Sequence, residues 1–269
     1  MKMQIASREL LWNSGGRGTV VEVEMTPATG RRIRLLATCR ENEPYSVDWG
    51  DGASQDFPYK DGFNYEEHTY ASYGRYRIRY ENASGVGLRH LDGMAQYSYD
   101  AAPVSLVDYS GKMVGTPSGS FKKAVNLVHF EAPAITGIGQ RTLGYCTSLR
   151  KVVLPICSFF YDGTFQGCTS LETLDLGGGI MWSYVFKGCT KLREIRFKGV
   201  DQISTQCFSD CPALADIWIP DRTIAQTRQV ASSGNIVGGY GAKFPWGANA
   251  YTRFHCLDGV VLGSGTVVN

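Results

Sequence analysis

Along the first hundred residues, apolar and polar positions alternate in the way expected of β-strands that bury one face. Residues 20–25 and 32–37 follow this alternation, and the Thr-Pro-Ala-Thr-Gly segment between them, residues 26–30, is a turn sequence. Residues 45–49 place a tyrosine, a valine and a tryptophan on one face, and residues 74–80 alternate aromatic or apolar side chains with arginines. These segments predict short strands in a sheet with one buried and one wet face.

From about residue 120 the pattern changes to a repeat of 21 or 22 residues. The leucines that open the L-x-x-L-x-L segment of each repeat are Leu127, Leu149, Leu171, Leu192 and Leu214. Three residues before them stand Ala124, Cys146, Cys168, Cys189 and Cys211. Each repeat can bury its apolar side chains only against the next one. The sequence therefore predicts a solenoid of about five coils with one short strand each, and with the cysteines and leucines pointing inward.

The residues after the last repeat predict a cap that closes the solenoid. Asp221 is an N-cap candidate ahead of good helix formers, so a short helix is expected there, followed by a glycine-rich loop over residues 232–241. Residues 254–262 alternate around an Asp-Gly turn and predict a terminal hairpin. The aromatic residues expected to cover the end of the apolar stack are Phe244, Trp246, Tyr251 and Phe254.

The composition agrees with a folded chain rich in strands. The 269 residues are 43% hydrophobic and only 19% charged, which excludes intrinsic disorder, and 32 glycines favour turns and short strands over long helices. A net charge of +2 disfavours nucleic acid and membrane partners. Charged residues interrupt the first nine positions before an apolar core, so neither a signal peptide nor a membrane-inserting segment is visible.

The N-terminal sequence contains three motifs in order: Trp49-Gly50-Asp51-Gly52, His68-Thr69-Tyr70 and Tyr73-Gly74-Arg75-Tyr76. Together these motifs resemble the polycystic-kidney-disease (PKD) repeat. That resemblance covers residues 18 to 95 and implies an immunoglobulin-like β-sandwich that serves as a spacer or binding module. The carboxylates of Asp48, Asp51 and Asp56 are interpreted as turn-forming groups rather than as a calcium site or an acid/base pair, since Asp is a preferred turn residue.

The segment Phe165-Gln166-Gly167-Cys168-Thr169-Ser170-Leu171 recurs at 186–192 and resembles the BspA-type leucine-rich repeat. The resemblance covers residues 118 to 220, and its first coil departs from the pattern with Ala124 in the cysteine position. It implies buried cysteines and a cell-surface adhesion or recognition role of the kind found in host-associated bacteria. The predicted fold is mainly β, with a PKD-like sandwich over residues 1–95, a linker or N-terminal cap over 96–117, and the solenoid with its C-terminal cap over 118–269.

Eight cysteines raise the question of metal binding or disulfides. No C-x-x-C pair occurs, so no metal and no cofactor is predicted. Neighbouring coils bring cysteines close enough for a disulfide by distance alone, but a reduced ladder is the expectation, because a buried free cysteine behaves as a small hydrophobe. His255 and Cys256 resemble a nucleophile and its base, but strand neighbours point to opposite faces. The chain is therefore expected not to be an enzyme.

The remaining candidates lie on the outward face of the predicted strand row. Trp218 stands beside Asp216 on an otherwise polar face, and an exposed tryptophan is typical of a binding hot spot. Asp175 and Arg196 are expected either to pair across strands or to be merely solvated. The candidate binding residues are His129, Glu131, Lys151, Asp175, Glu194, Arg196, Asp216 and Trp218.

The sequence thus favours a non-enzymatic recognition or adhesion protein of the bacterial cell-surface type, with a protein or glycan on a cell or host surface as its partner. The surface or extracellular location follows from the resemblance alone. One alternative is a phage or prophage virion component, either a tail-associated receptor-binding protein or a structural one. Another is a carbohydrate-active enzyme or its accessory module, and the enzyme would need two facing carboxylates in a cleft.

Overall fold

The computed structural model describes residues 18–38, 44–58, 64–82, 90–92, 103–109, 113, 115–116, 118–204, 206–230 and 244–268. In the N-terminal part, strands form where the sequence alternates, because alternate side chains reach the core. Their bounds are β1 Thr19–Met25, β2 Arg32–Thr38, β3 Tyr45–Asp48, β4 Ser54–Phe57, β5 Asn64–Thr69, β6 Gly74–Asn82, β7 His90–Asp92 and β8 Pro103–Asp108.

These strands form two antiparallel sheets. In the first, β8, β1, β6, β3 and β4 are neighbours in that order, and in the second the order is β5, β2, β7. They share one core, in which Val21, Ile33 and Tyr80 are fully buried. Trp49, directly after β3, stacks on His68 of β5 with ring centroids 4.8 Å apart. The chain is mainly β, as its sequence predicts.

A solenoid of about five turns extends over residues 105–218, in agreement with the predicted number of coils. The first coils contribute two short strands each instead of the predicted one, whereas β14 and β15 are single long strands. The strand bounds are β9 Gly115–Thr116, β10 His129–Glu131, β11 Gly137–Ile138, β12 Lys151–Val153, β13 Phe159–Phe160, β14 Thr173–Met181, β15 Glu194–Ile203 and β16 Asp216–Ile219.

These strands form two parallel rows. One row contains β10, β12 and the first halves of β14 and β15, followed by β16, and β12 joins β14 through a single bridge between Leu154 and Leu176. The second row contains β9, β11 and β13 and continues into the last residues of β14 and β15. Residues 177–179, three glycines, lie inside β14 where it passes from one row to the other.

The interior between the rows is built from similar apolar side chains at each repeat position. Phe165, Phe186 and Phe208 stack in sequence with centroids 5.6 Å apart and ring planes within 5° of parallel. The repeat leucines beside them are fully buried: Leu149, Leu171, Leu192 and Leu214. Each coil therefore repeats the packing of the previous one, which is the source of stability in a solenoid.

The residue before each cysteine position closes a tight corner of the coil. It has a positive φ in all five coils, with values of 65°, 63°, 71°, 77° and 58° for Lys123, Tyr145, Gly167, Gly188 and Asp210. Only two of these five are glycines, the residue that adopts such a φ at least cost. The corner is thus a property of the stacked coil rather than of local sequence.

Strand β8 connects the two parts of the chain. It pairs antiparallel with β1, where Leu106 lies opposite Val21, and parallel with β10, where Leu106 lies opposite Phe130. One sheet of seven strands therefore runs from the N-terminal part into the first two coils. Within the predicted linker, residues 96–102 lie outside the described part of the chain.

The C-terminal cap contains helix α1, Ile224–Val230, and strands β17 Arg253–Cys256, β18 Gly259–Leu262 and β19 Val267–Val268. The expectation that Asp221 caps the helix is wrong. Thr223 does so, since its hydroxyl accepts from the Gln226 amide at 3.2 Å and the Gln226 side chain accepts from the Thr223 amide at 2.9 Å. The Asp221 carboxylate instead accepts from the amide of Val200 at 3.2 Å.

The predicted hairpin forms between β17 and β18, and β17 also pairs in parallel with β16, so the cap extends the first strand row. Trp246 and Phe254 are buried over the last coil, and Phe244 packs against both. Tyr251 does not cover the stack as expected, because its side chain is 59% exposed. Loop 232–241 lies outside the described residues. No helix that the structure describes could cross a membrane.

Candidate functional site

The candidate site is the outward surface of the first strand row, which we call the strand-row face. Outward residues alternate with buried ones along each strand because side chains of a strand point to opposite faces. Since β17 pairs with β16, the face includes two residues beyond the predicted set. Its members are His129, Glu131, Lys151, Asp175, Glu194, Arg196, Asp216, Trp218, Arg253 and His255.

Trp218 is held between two side chains of neighbouring strands. On one side its ring lies flat on the imidazole of His255, with centroids 3.8 Å apart and planes 8° apart. On the other side the Arg196 guanidinium lies 4.9 Å from the ring centroid. The expectation of an exposed tryptophan is therefore corrected: Trp218 is half-buried and fixed in orientation by its neighbours.

Asp216 is the polar centre of the same cluster. Its carboxylate accepts one hydrogen bond from Arg253 and another from His255, each at 2.7 Å. Partial burial tends to raise the pKa of Asp216, but these bonds and charges together hold that pKa below its ordinary value. The carboxylate thus fixes the imidazole against Trp218 and stays ionised at neutral pH.

Except for Asp175, the other charges of the face are paired within a strand or with the next one. Arg196 forms an ion pair with Glu194 at 2.5 Å, rather than with Asp175, which lies opposite Arg196 in the strand register. Asp175 is exposed and has no ion pair among the described residues. Near the first coils, Glu131 contacts His129 at 3.0 Å and Lys151 at 3.7 Å.

Sequence reasoning missed Arg253 and His255 as members of this face. Arg253 contacts Asp216 across 37 residues of sequence, which include helix α1 and the segment 231–243. The repeat period ends before that insertion, so periodicity does not reveal that a further strand joins the row. The available signal is the alternation in residues 253–256, which predicts a strand but not its neighbour.

The cysteine ladder lies in the interior and offers no reactive thiol. Cys146, Cys168, Cys189 and Cys211 are free, and each Sγ donates to a backbone carbonyl of the preceding coil at 3.0–3.1 Å. Burial raises the pKa of Cys146 to about 12. These thiols are therefore protonated, unlike those of catalytic cysteines.

His255 and Cys256 do not form a pair. The Cys256 thiol faces Thr227 of α1 at 3.3 Å, and His255 faces Asp216 on the opposite side of the strand. No group of three or more His, Cys, Asp or Glu in the part of the chain that the structure describes is arranged to hold a metal ion.

The three N-terminal motifs meet in one aromatic cluster. Tyr70 stacks on Tyr76 with centroids 3.7 Å apart and donates its hydroxyl proton to the Trp49 carbonyl at 3.0 Å. His68, stacked on Trp49, lies 2.7 Å from a carboxylate oxygen of Asp51. Asp51 also accepts from the Ala53 amide, as a turn-forming carboxylate does. Their contacts are those of core and turn residues.

Asp48 and Asp56 complete the set of N-terminal carboxylates. Asp48 accepts from the Gly50 amide at 2.9 Å and therefore also acts as a turn residue. Asp56 accepts from the Ser46 hydroxyl at 2.6 Å between the paired strands β3 and β4, so it is a strand residue and not part of a turn.

Comparison with known proteins identifies one part of the chain. Residues 115–233 match the family model of the BspA type leucine-rich repeat region in six copies. No curated protein and no solved structure matches the chain. The matched residues contain most of the strand-row face and all four cysteines of the ladder.

Proposed function

We propose that this chain, with BspA-type repeats over residues 115–233, is a non-enzymatic recognition or adhesion protein. Repeats of this type are typically surface adhesion or protein-binding modules. In this proposal the chain works at a cell surface and binds a protein or glycan of a cell or host through the strand-row face. The observation that carries it is Trp218 fixed between Arg196 and His255 on an otherwise polar face.

Fixed aromatic and arginine side chains are well suited to binding. Tryptophan and arginine are enriched among the residues that dominate binding energy. A side chain already held in one orientation loses less conformational entropy when a partner binds. Asp216 contributes by holding both His255 and Arg253. The cluster therefore has the composition and rigidity of a binding centre.

We further propose that the N-terminal part is a PKD-like, immunoglobulin-like spacer. Support comes from the convergence of Trp49, His68, Tyr70 and Tyr76 in one packed aromatic cluster. Their contacts are those expected of a core, since Trp49 and Tyr70 are buried and Tyr76 packs against the same core. A spacer of this kind would hold the solenoid away from the surface to which the protein is attached.

The absence of enzymatic activity is part of the proposal. Its support is that the Asp216 carboxylate already accepts from Arg253 and His255, and that the ladder thiols are buried and protonated. A catalytic base or nucleophile needs an open position beside its substrate.

The test is binding of the labelled full chain to immobilised extracellular-matrix proteins, to glycans and to intact bacterial cells. We expect saturable binding that the double variant Trp218→Ala, Arg196→Ala weakens about tenfold or more, since hot-spot truncations cost roughly 2 kcal/mol. Trp182→Ala is the matched control, because Trp182 stacks on Tyr161 outside this face.

Equal binding by wild-type and double variant, with both folded, would overturn the proposal. Absence of binding to every surface would do the same and would favour a structural role. Binding confined to bacterial cells would instead support the virion receptor-binding alternative.

A further inference from the structure

Cations and acids of the strand-row face lie at different depths. In each of three ion pairs the acidic side chain is the less exposed partner: Glu131 is 17% exposed against 62% for Lys151, Glu194 29% against 55% for Arg196, and Asp216 19% against 53% for Arg253. At these three pairs an approaching partner therefore meets the cationic group first, whereas Asp175 is an exposed acid without an ion pair among the described residues.

These cations keep donors for a second acceptor. A guanidinium carries five N–H donors, and a carboxylate occupies only one or two of them. Arg253 uses Nη2 toward Asp216 and Arg196 uses Nη2 toward Glu194. Half of each arginine side chain faces solvent, so its unused donors are directed outward.

The two arginines flank Trp218. Arg196 on β15 lies opposite Trp218 on β16, and Trp218 lies opposite His255 on β17. Arg253 lies two residues before His255 on the same strand. The strands that carry Arg196 and Arg253 are therefore two apart, which separates them by roughly 10 Å at the usual strand spacing. Outward donors thus stand on the two strands that flank the strand of Trp218.

We propose that the partner of this face is an acidic segment of a protein, whose carboxylates bind the outward donors of Arg196 and Arg253 across Trp218. Bidentate contact between guanidinium and carboxylate provides both strength and orientation. This inference rests on the proposed function and names the class of partner that the face takes.

A sulfated glycan is less well suited to the same surface. Binding of a polyanion relies on an excess of unpaired cations. On this face each of the three exposed cations already has an acid beneath it, and Asp175 adds one more negative charge, so the face has no excess of cations. A protein segment supplies a few directed carboxylates together with apolar atoms that cover Trp218.

The experiment uses a phage-displayed library of random 12-residue peptides and the immobilised full chain. Peptides are selected on the wild-type protein and counter-selected on the folded double variant Arg196→Gln, Arg253→Gln. We expect at least a twofold excess of Asp and Glu in the enriched peptides over the starting library. Synthetic copies should bind the variant about tenfold more weakly and should lose affinity as salt is raised.

The matched control is Arg75→Gln, since Arg75 is also an exposed arginine paired with a carboxylate, that of Glu24, but lies in the N-terminal part. It should leave peptide binding unchanged. Should the glutamine double variant not fold, Arg196→Lys with Arg253→Lys keeps both charges, removes the fork geometry and should still weaken binding.

The inference would be overturned by the absence of enriched peptides, by enriched peptides without acidic excess, or by equal affinity for wild type and variant. Retention on heparin that depends on both arginines, without acidic peptides, would overturn it in favour of a polyanionic glycan. Binding to matrix proteins or cells that depends on Trp218 but not on the arginines would overturn the inference and leave the proposed function standing.

Discussion

The indole of Trp218 lies flat on the imidazole of His255, with ring centroids 3.8 Å apart, although helix α1 and residues 231–243 separate the two in sequence. One belongs to the last repeat and the other to the cap. The binding centre that we propose is therefore complete only when the cap has docked on the solenoid. Damage to the cap is expected to impair recognition as well as stability.

This contact predicts energetic coupling between the two residues. In a double-mutant cycle of Trp218→Ala and His255→Ala, the coupling free energy of unfolding should be about 1 kcal/mol, as for other stacked ring pairs. Chemical denaturation of the four proteins measures it. Additive losses would contradict the stacked arrangement.

Glu66 predicts a pH dependence of stability. Its carboxyl group is fully buried beside Tyr45, and this burial raises its pKa to about 9. Between about pH 4.5, the ordinary value, and pH 9, the folded chain keeps a proton that the unfolded chain has lost. The free energy of unfolding should therefore fall as pH rises through this window, by up to about 1.4 kcal/mol per pH unit.

The variant Glu66→Gln isolates this effect, because an amide does not titrate. Subtracting its unfolding free energy from that of the wild type at each pH should leave the predicted slope. Glu67→Gln is the control, since Glu67 is an exposed neighbour on the same strand. A difference curve that stays flat from pH 5 to pH 9 would show that Glu66 is ionised in the folded protein.

Replacement of the two corner glycines, Gly167 and Gly188, by alanine is expected to destabilise the chain by different amounts. Gly167 and Gly188 both have a left-handed φ, near 71° and 77°. A Cβ on Gly167 would lie 2.7 Å from the Tyr145 ring, whereas on Gly188 its nearest neighbour would be 3.7 Å away. Gly188→Ala should cost about 1 kcal/mol from backbone strain, and Gly167→Ala about 1–3 kcal/mol more from overpacking.

Denaturant titration of both alanine variants checks this order. Adding Tyr145→Ala to Gly167→Ala removes the ring and should reduce the extra loss. Equal losses for the two glycines would mean that the Tyr145 ring does not pack over Gly167.

Burial of the ladder predicts selective thiol chemistry. Burial raises the pKa of Cys146 to about 12 and that of Cys211 to about 11, whereas Cys256 is only half-buried. Iodoacetamide at pH 8 should therefore modify Cys256 of the native chain well before the ladder cysteines, because the thiolate is the nucleophile. Peptide mass spectrometry measures the rates, and denatured protein should lose the selectivity. Rapid native labelling of Cys168 would contradict the stacking.

Leu106 of β8 lies between Val21 and Phe130 in the shared sheet. Leu106→Ala should destabilise the chain by about 2–5 kcal/mol, as core truncations of this size do. Hydrogen exchange should then increase in both β1 and β10. In the control Leu174→Ala, on β14, exchange should increase in neighbouring coils and not in β1. Loss of protection on one side of β8 alone would argue against a common sheet.

Much of the solenoid is predictable because its residues recur at one spacing. The inward leucines, phenylalanines and cysteines of the repeats follow directly from the period of 21 or 22 residues. The second strand row does not, because two-residue strands such as β11 and β13 are too short to show alternation. Their pairing arises from stacking between coils and has no local signature.

The candidate site is predictable only in part for a related reason. Alternation identifies which residues of a strand point outward, so Arg196, Asp216 and Trp218 are found from sequence. It does not tell which strand from beyond the repeats joins the row, so Arg253 and His255 are missed. The exposure of Trp218 is overestimated because both residues that cover it belong to other strands.

The shared strand β8 has a mechanical consequence. A partner bound near Trp218 pulls on strands that are hydrogen-bonded back to β14. A single bridge between Leu176 and Leu154 links β14 to the sheet that contains β12, β10 and β8. Within the first strand row, tension between that partner and the N-terminal part therefore passes through this single bridge between two sheets before it reaches β8.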